Sequence, residues 1–156
     1  MSLVAHRLVP DRGRLPFDCR LTGFDPDWWC DGATLRGREY LSVSRDGVEV
    51  ARAEVDPRST DVDEYVGLDL RGTVVKIEFF EVRKHLRGQG VGRLAVAAVI
   101  ERYEGPWFTA AAVTAASFWT SIGWTEARHA ARPYSSTARY LFNASALPSP
   151  DQGNVR

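Results

Sequence analysis

The chain has 156 residues, a length one hydrophobic core can serve, and its 44% hydrophobic and 26% charged residues argue against wholesale disorder. Twenty basic side chains balance twenty acidic ones, so the formal charge is zero and no basic excess marks a nucleic-acid binder. No apolar run approaches the roughly 20 residues of a membrane helix, and the segment from Met1 to Arg7 lacks the order of a secretory signal, so a soluble, cytoplasmic protein is expected.

Residues 1–17 mix charges with Pro10, Gly13 and Pro16 and read as an arm or an edge segment. Cys19 and Cys30 are too few for a disulfide scaffold and fit no zinc spacing; free thiols are the preferred reading over a bridge between them. His6, His85 and His129 are scattered, so no metal site is expected. Trp28-Trp29 reads as core or interface. Two alternating runs, 40–44 and 48–55, flank Arg45-Asp46-Gly47, a strong hairpin signal. Residues 65–70 suggest a short strand, and Thr73 to Val82 is the best strand in the chain, β-branched and aromatic. A loop with three glycines leads to a helix over 94–103, whose first seven residues are apolar nearly all round and suit burial against a sheet. Residues 107–112 read as a buried strand, 115–121 as a short helix stopped by Gly123, and 139–143 as a last strand. The breaker-rich stretch 144–156 reads as a flexible tail. Antiparallel strands followed by β-α-β-α-β predict a mixed α/β sheet in a single domain spanning 1–156.

The chemistry is carried by the segment from Val82 to Arg93. Gly88, Gly90 and Gly92 are spaced two apart between a strand and a helix. Glycines let successive N–H groups turn into one concavity at a helix start, where a phosphate is favoured, with Arg87 and Arg93 nearby. Neither lysine, Lys76 nor Lys84, follows a glycine, so a P-loop is disfavoured. Arg93 stands where the dinucleotide fingerprint needs its last glycine, and no acidic ribose partner follows at the required distance.

What remains resembles the GNAT superfamily of acyl-CoA-dependent N-acyltransferases. Arg87-Gly88-Gln89-Gly90-Val91-Gly92 fits the family's Gln/Arg-x-x-Gly-x-Gly/Ala loop, Phe79-Phe80-Glu81-Val82 resembles the strand before it, and Ala115 to Trp124 resembles the later helix with its aromatic pair. The resemblance covers roughly 73–125. It implies a mostly antiparallel central sheet, splayed at an acyl-CoA cleft and flanked by helices. Two positions depart from the family pattern. Trp119 stands where many members carry a Tyr often assigned as the acid for the departing thiolate, and Ala112 where many carry an Asn that contacts pantetheine.

The resemblance further implies direct transfer of an acetyl group from acetyl-CoA to a primary amine on a small molecule or peptide, without metal, nucleic acid or membrane. Relatives are often dimers, so a homodimer is the oligomer it suggests. Residues implied at the cofactor are Phe80, Val82, Arg87, Gly88, Gln89, Gly90, Val91, Gly92, Arg93, Ser117 and Trp119. A backbone N–H near Val82 would meet the oxyanion. An alkyl amine needs a base, and Glu78, favoured over Glu81, would act through water; alternation sends the two to opposite faces. Tyr134, Tyr140 and Ser121 are candidate acids. Asp25, Asp27 and Asp31, with Asp61, Asp63 and Glu64, either favour a cationic acceptor or are solvated turn residues. The alternative function is a non-catalytic acyl-CoA sensor, to which Trp119 and Ala112 point.

Overall fold

Asp46 and Gly47 both adopt positive φ, 51° and 79°, and join β2 (Glu39–Arg45) to β3 (Val48–Asp56) through a two-residue loop of the type that matches strand twist. The computed structural model describes residues 2–60, 74–105, 107–112 and 115–128, and the backbone of 138–143. The N-terminal segment is no loose arm: β1 (Val4–Leu8) pairs antiparallel with β2 and forms the edge of the sheet. On the other side of β3 lies β4 (Val74–Val82), then β5 (Trp107–Ala112), β7 (Ala138–Asn143) and β6 (Thr125–Ala127). The seven described strands form one sheet, and among them only β4 and β5 run parallel. Their crossover is helix α2 (Val91–Ile100), as a parallel pair requires. The mixed α/β sheet is thus mostly antiparallel. The predicted strand at 65–70 and the tail from 144 lie outside the described residues.

One sheet face is covered by α2, whose Val91, Ala95, Val96, Ala98 and Val99 join Leu41, Val43, Ala53, Val55, Val75, Ile77 and Phe108 in the main core. The helix starts three residues before its predicted start because Gly90, at φ 77°, serves as its N-cap and Gly92 lies in its first turn. It also ends sooner, since the amides of Arg102 and Tyr103 fold back to Val99 and Ile100 in tighter turns. The Tyr103 hydroxyl donates to Glu39 (2.9 Å), and burial with that carboxylate holds its pKa above the usual phenol value.

The opposite face carries a second cluster of Phe17, Trp29 and Tyr40, with Phe17 edge-on to Trp29 at 4.8 Å. Arg52 is buried among these residues, paired with Glu49 (2.8 Å), donating to the Asp18 carbonyl (2.9 Å) and lying over the Phe24 ring. This cluster seats α1 (Pro26–Trp29), a single turn begun by an Asp25 cap and Pro26. It also corrects the reading of the cysteines. Cys30 ends α1, the loop before the helix folds back over the cluster, and Cys19 meets Cys30 in a disulfide with the Cα atoms 5.8 Å apart. Sequence spacing could not reveal that return. No described helix is long and apolar enough to cross a membrane.

Denatured without reductant, the protein should expose no titratable thiol from Cys19 or Cys30. Replacing both by serine should lower the unfolding free energy by about 2–4 kcal/mol in urea titrations.

Candidate active site

Strands β4 and β5 are in register only from Val74 with Trp107 to Ile77 with Ala110. Beyond that point β4 continues to Val82 without β5, and the sheet opens into a V. At the point of divergence β4 carries a bulge: Val55 pairs with Ile77 and Glu54 with Phe79, so Glu78 is the extra residue. One inserted residue resets the alternation. Before the bulge Val75 and Ile77 face the α2 core, and after it Phe80 and Val82 do, while Phe79 meets Trp28 and Trp29 on the other side. Glu78 and Glu81 therefore share the α1 face. The expectation of opposite faces assumed an unbroken strand.

The two carboxylates have different surroundings. Glu78 is gripped by Arg38 and by Lys76 (3.0 Å), and it lines neither cleft described below. Arg38 also approaches Asp56 (3.4 Å) and Glu54 (3.9 Å). Burial works against the Arg38 charge, but the bond to Glu78 and the neighbouring carboxylates outweigh it and keep its pKa above the ordinary arginine value. Burial pushes the Glu54 carboxyl up, and the Glu78 charge adds to that against the attraction of Arg38. Among the described residues, the favoured base is therefore held in an ion-pair network and lines neither of these two clefts.

Glu81 is buried, with 9% exposure, yet it lines the opening. Its Oε2 accepts from the Trp29 indole N–H (2.7 Å) and the Asp25 amide (2.9 Å), and its Oε1 from the Arg87 guanidinium (2.6 Å). The surrounding cleft, about 410 Å³, is lined by Asp25 and Trp28 on one side and by Phe80, Phe118 and Trp119 on the other. Of the acidic residues weighed between an acceptor cleft and solvated turns, Asp25 lines the cleft, and so does Trp28, read from the sequence as core or interface.

A second cleft of about 370 Å³ continues from the first, sharing Val82, Arg87 and Phe118, and reaches Gly88, Gly90, Gly92 and Arg93. Here the loop forms its cup. After a short 3₁₀ turn at Lys84–Leu86, Gly88 and Gly90 take φ 73° and 77°, values an L side chain resists. Among the described residues, the amides of Gly88 through Arg93 reach no protein acceptor in hydrogen-bond geometry. Uncapped donors at a helix start form an anion site. Gly92 is required for a different reason: a Cβ there would stand 2.7 Å from the Phe118 ring. That ring stacks on Phe80 at 5.9 Å and joins helix α3 (Ala116–Ser121) to β4.

The other expected residues divide. Arg93 lines the cup and donates to the Ser121 carbonyl (2.8 Å), where the end of α3 welcomes a cation. Val91 points into the core, leaving only its amide for a ligand. Gln89 turns back to the His85 carbonyl (2.8 Å), and Ser117 is exposed and lines neither cleft. Ser121, a candidate acid, lines the second cleft with its hydroxyl bonded to the Phe118 carbonyl (2.6 Å). The Arg83 amide turns inward to Val50 (2.9 Å), so alternation turns the Val82 amide and carbonyl toward the V, and the carbonyl accepts from Arg87 Nε (2.9 Å). Tyr134 and the side chain of Tyr140 lie outside the described residues. Phe118 and Ile122 complete the lining, and neither had been assigned to the site.

A family model described as Acetyltransferase (GNAT) family matches residues 8–124, well over half of the chain. The chain belongs to the GNAT acetyltransferase family. Solved structures agree on the fold. An acetyltransferase from Thermus thermophilus is 12% identical with a TM-score of 0.52, the match covering 69% of this chain and 65% of that one. A GNAT-family acetyltransferase from Streptococcus agalactiae is 16% identical with a TM-score of 0.52, over 67% and 64%. Less than two thirds of either of those chains is spanned. AtaTR bound with acetyl-CoA matches at 14% identity and a TM-score of 0.58 over 93% of this chain and 95% of its own. A search of curated protein sequences finds no match.

Gly92→Ala should cost about 1–3 kcal/mol of stability through overpacking against Phe118, and that cost should shrink when the change is made in a Phe118→Ala background, as read from urea midpoints in a double-mutant cycle. Glu54→Gln should raise the urea midpoint at neutral pH. The folded-state pKa of Glu54 is raised, so its ionised form costs stability at neutral pH, and the gain should shrink as pH falls toward the ordinary carboxylate range.

Proposed function

We propose that this protein transfers an acetyl group from acetyl-CoA to a primary amine by direct attack on the thioester. The observation that carries the reading is the row of six unpartnered amides, Gly88 through Arg93, at the end of a cleft that runs on between β4 and α3. Those amides, with Arg87 and Arg93, suit two linked phosphates. The rest of the cleft, with Phe80, Phe118 and Trp119, suits a thin, mostly apolar arm. Bound there, acetyl-CoA supplies an activated acyl group as a thioester.

The Val82 amide, turned to the open side of β4, would donate to the oxyanion that forms as the amine adds to the carbonyl. An alkyl ammonium has a pKa near 10.4, so a proton must leave before attack. Glu81 takes the place of Glu78 as the carboxylate for this step, directly or through water, because of these two strand glutamates it is Glu81 that lines the cleft among the described residues. The C–N bond forms, the C–S bond breaks, and the sulfur departs as thiolate. With a pKa near 8.5, taking cysteine as a guide, a thiolate leaves without an acid, which is compatible with Trp119 at the usual Tyr position. Asp25 and Trp28 on the acceptor side favour a cationic amine.

Titration calorimetry with acetyl-CoA should give heat for the parent and at least a tenfold weaker affinity for Arg87→Glu. Thiol release across a panel of amines should then show turnover. Tight binding without thiol release for any amine would favour the sensor reading, which Trp119 and Ala112 support. No binding would end both.

A further inference from the structure

Arg87 is committed inward. Its guanidinium reaches the Glu81 carboxylate at 2.6 Å and its Nε the Val82 carbonyl at 2.9 Å, yet the side chain is half exposed and borders both clefts. The next residue, Gly88, begins the row of unpartnered amides. The same cation thus stands between a buried carboxylate on the acceptor side and a site built for an anion on the other. Glu81 has little freedom to follow it, since Oε2 is held by Trp29 and Asp25.

We propose that Arg87 is a latch that couples occupancy of the phosphate cup to release of Glu81, an inference that rests on the acyl-CoA reading above. Phosphates seated on the amides compete with Glu81 for the one guanidinium. As Arg87 turns to them, Glu81 Oε1 loses the charged partner it has among the described residues while Oε2 keeps its two donors. The carboxylate is then fixed in position and unneutralised, and a buried carboxylate that loses a cation becomes a stronger proton acceptor. The base is armed only once the donor is in place, so the acceptor amine meets a competent site second. Trp29 and the Asp25 amide act as positioning groups, holding Oε2 so that Oε1 stays aimed into the cleft after Arg87 departs. Coenzyme A and Glu81 are therefore antagonists for Arg87. If Glu81 merely oriented Arg87 toward the phosphates, they would be cooperative, and the sign of the coupling separates the two cases.

Glu81→Gln keeps an oxygen for Trp29 and Asp25 and removes the charge that competes for Arg87. Calorimetry with free coenzyme A should show it binding the variant about fivefold more tightly than the parent, the scale of a partly exposed ion pair. The gain should vanish when Arg87→Gln is added. It should also be absent with pantetheine, which lacks the pyrophosphate. Unchanged or weaker coenzyme A binding by Glu81→Gln, with an unaltered urea midpoint, would overturn the latch while leaving the acyl-CoA reading intact. If the parent and every variant fail to bind coenzyme A, the acyl-CoA reading falls and the latch falls with it.

Discussion

Beyond Ile77, β4 and β5 no longer pair, and every feature of the candidate site depends on that parting. Parallel strands that stayed together would bury the Val82 backbone in a ladder and leave no space between Phe80 and Trp119. Two things hold the strands apart. The bulge at Glu78 bends β4 where the separation begins, and the stacked rings of Phe80 and Phe118 fill the opening with side chains instead of hydrogen bonds. A sheet interrupted this way exposes backbone donors and acceptors inside a cleft, where a ligand can take them up.

The same bulge organises the charges. By placing Glu78 and Glu81 on one face, it brings both under the α1 side of the sheet, and their neighbours then set them apart. Glu78 falls among Arg38 and Lys76 and serves the structure, whereas Glu81 falls beside α1 and the cleft. The Trp29 indole does two things at once: its ring fills the second cluster with Phe17 and Tyr40, and its N–H holds a buried carboxylate. Packing on the face away from α2 is thereby connected to the geometry of the acceptor side.

Much of this was legible in the residues themselves. The Asp46-Gly47 hairpin, the long β4, the strands at 107–112 and 138–143 and the helix stopped by Gly123 all rest on local signals, and the structure places them within a few residues. The short α1 was missed, though its Asp25-Pro26 start is written in the chain, because a single turn has too few residues to show a helical period. The short β6 was missed for a similar reason, having only three residues. The start of α2 was displaced because glycines read as loop, whereas Gly90 caps the helix and Gly92 lies within it.

The sequence by itself determined the cup: positive φ at Gly88 and Gly90 and uncapped amides at a helix start follow from residue types a few positions apart. It did not determine which glutamate meets the cleft, whether Cys19 and Cys30 meet, or what Arg87 holds. Those depend on a one-residue bulge, on a loop closing over an aromatic cluster and on a side chain reaching six residues back along the chain. Periodicity describes a regular strand and is silent about the residue that breaks it, so the contacts that distinguish Glu81 from Glu78 exist only after the sheet has formed.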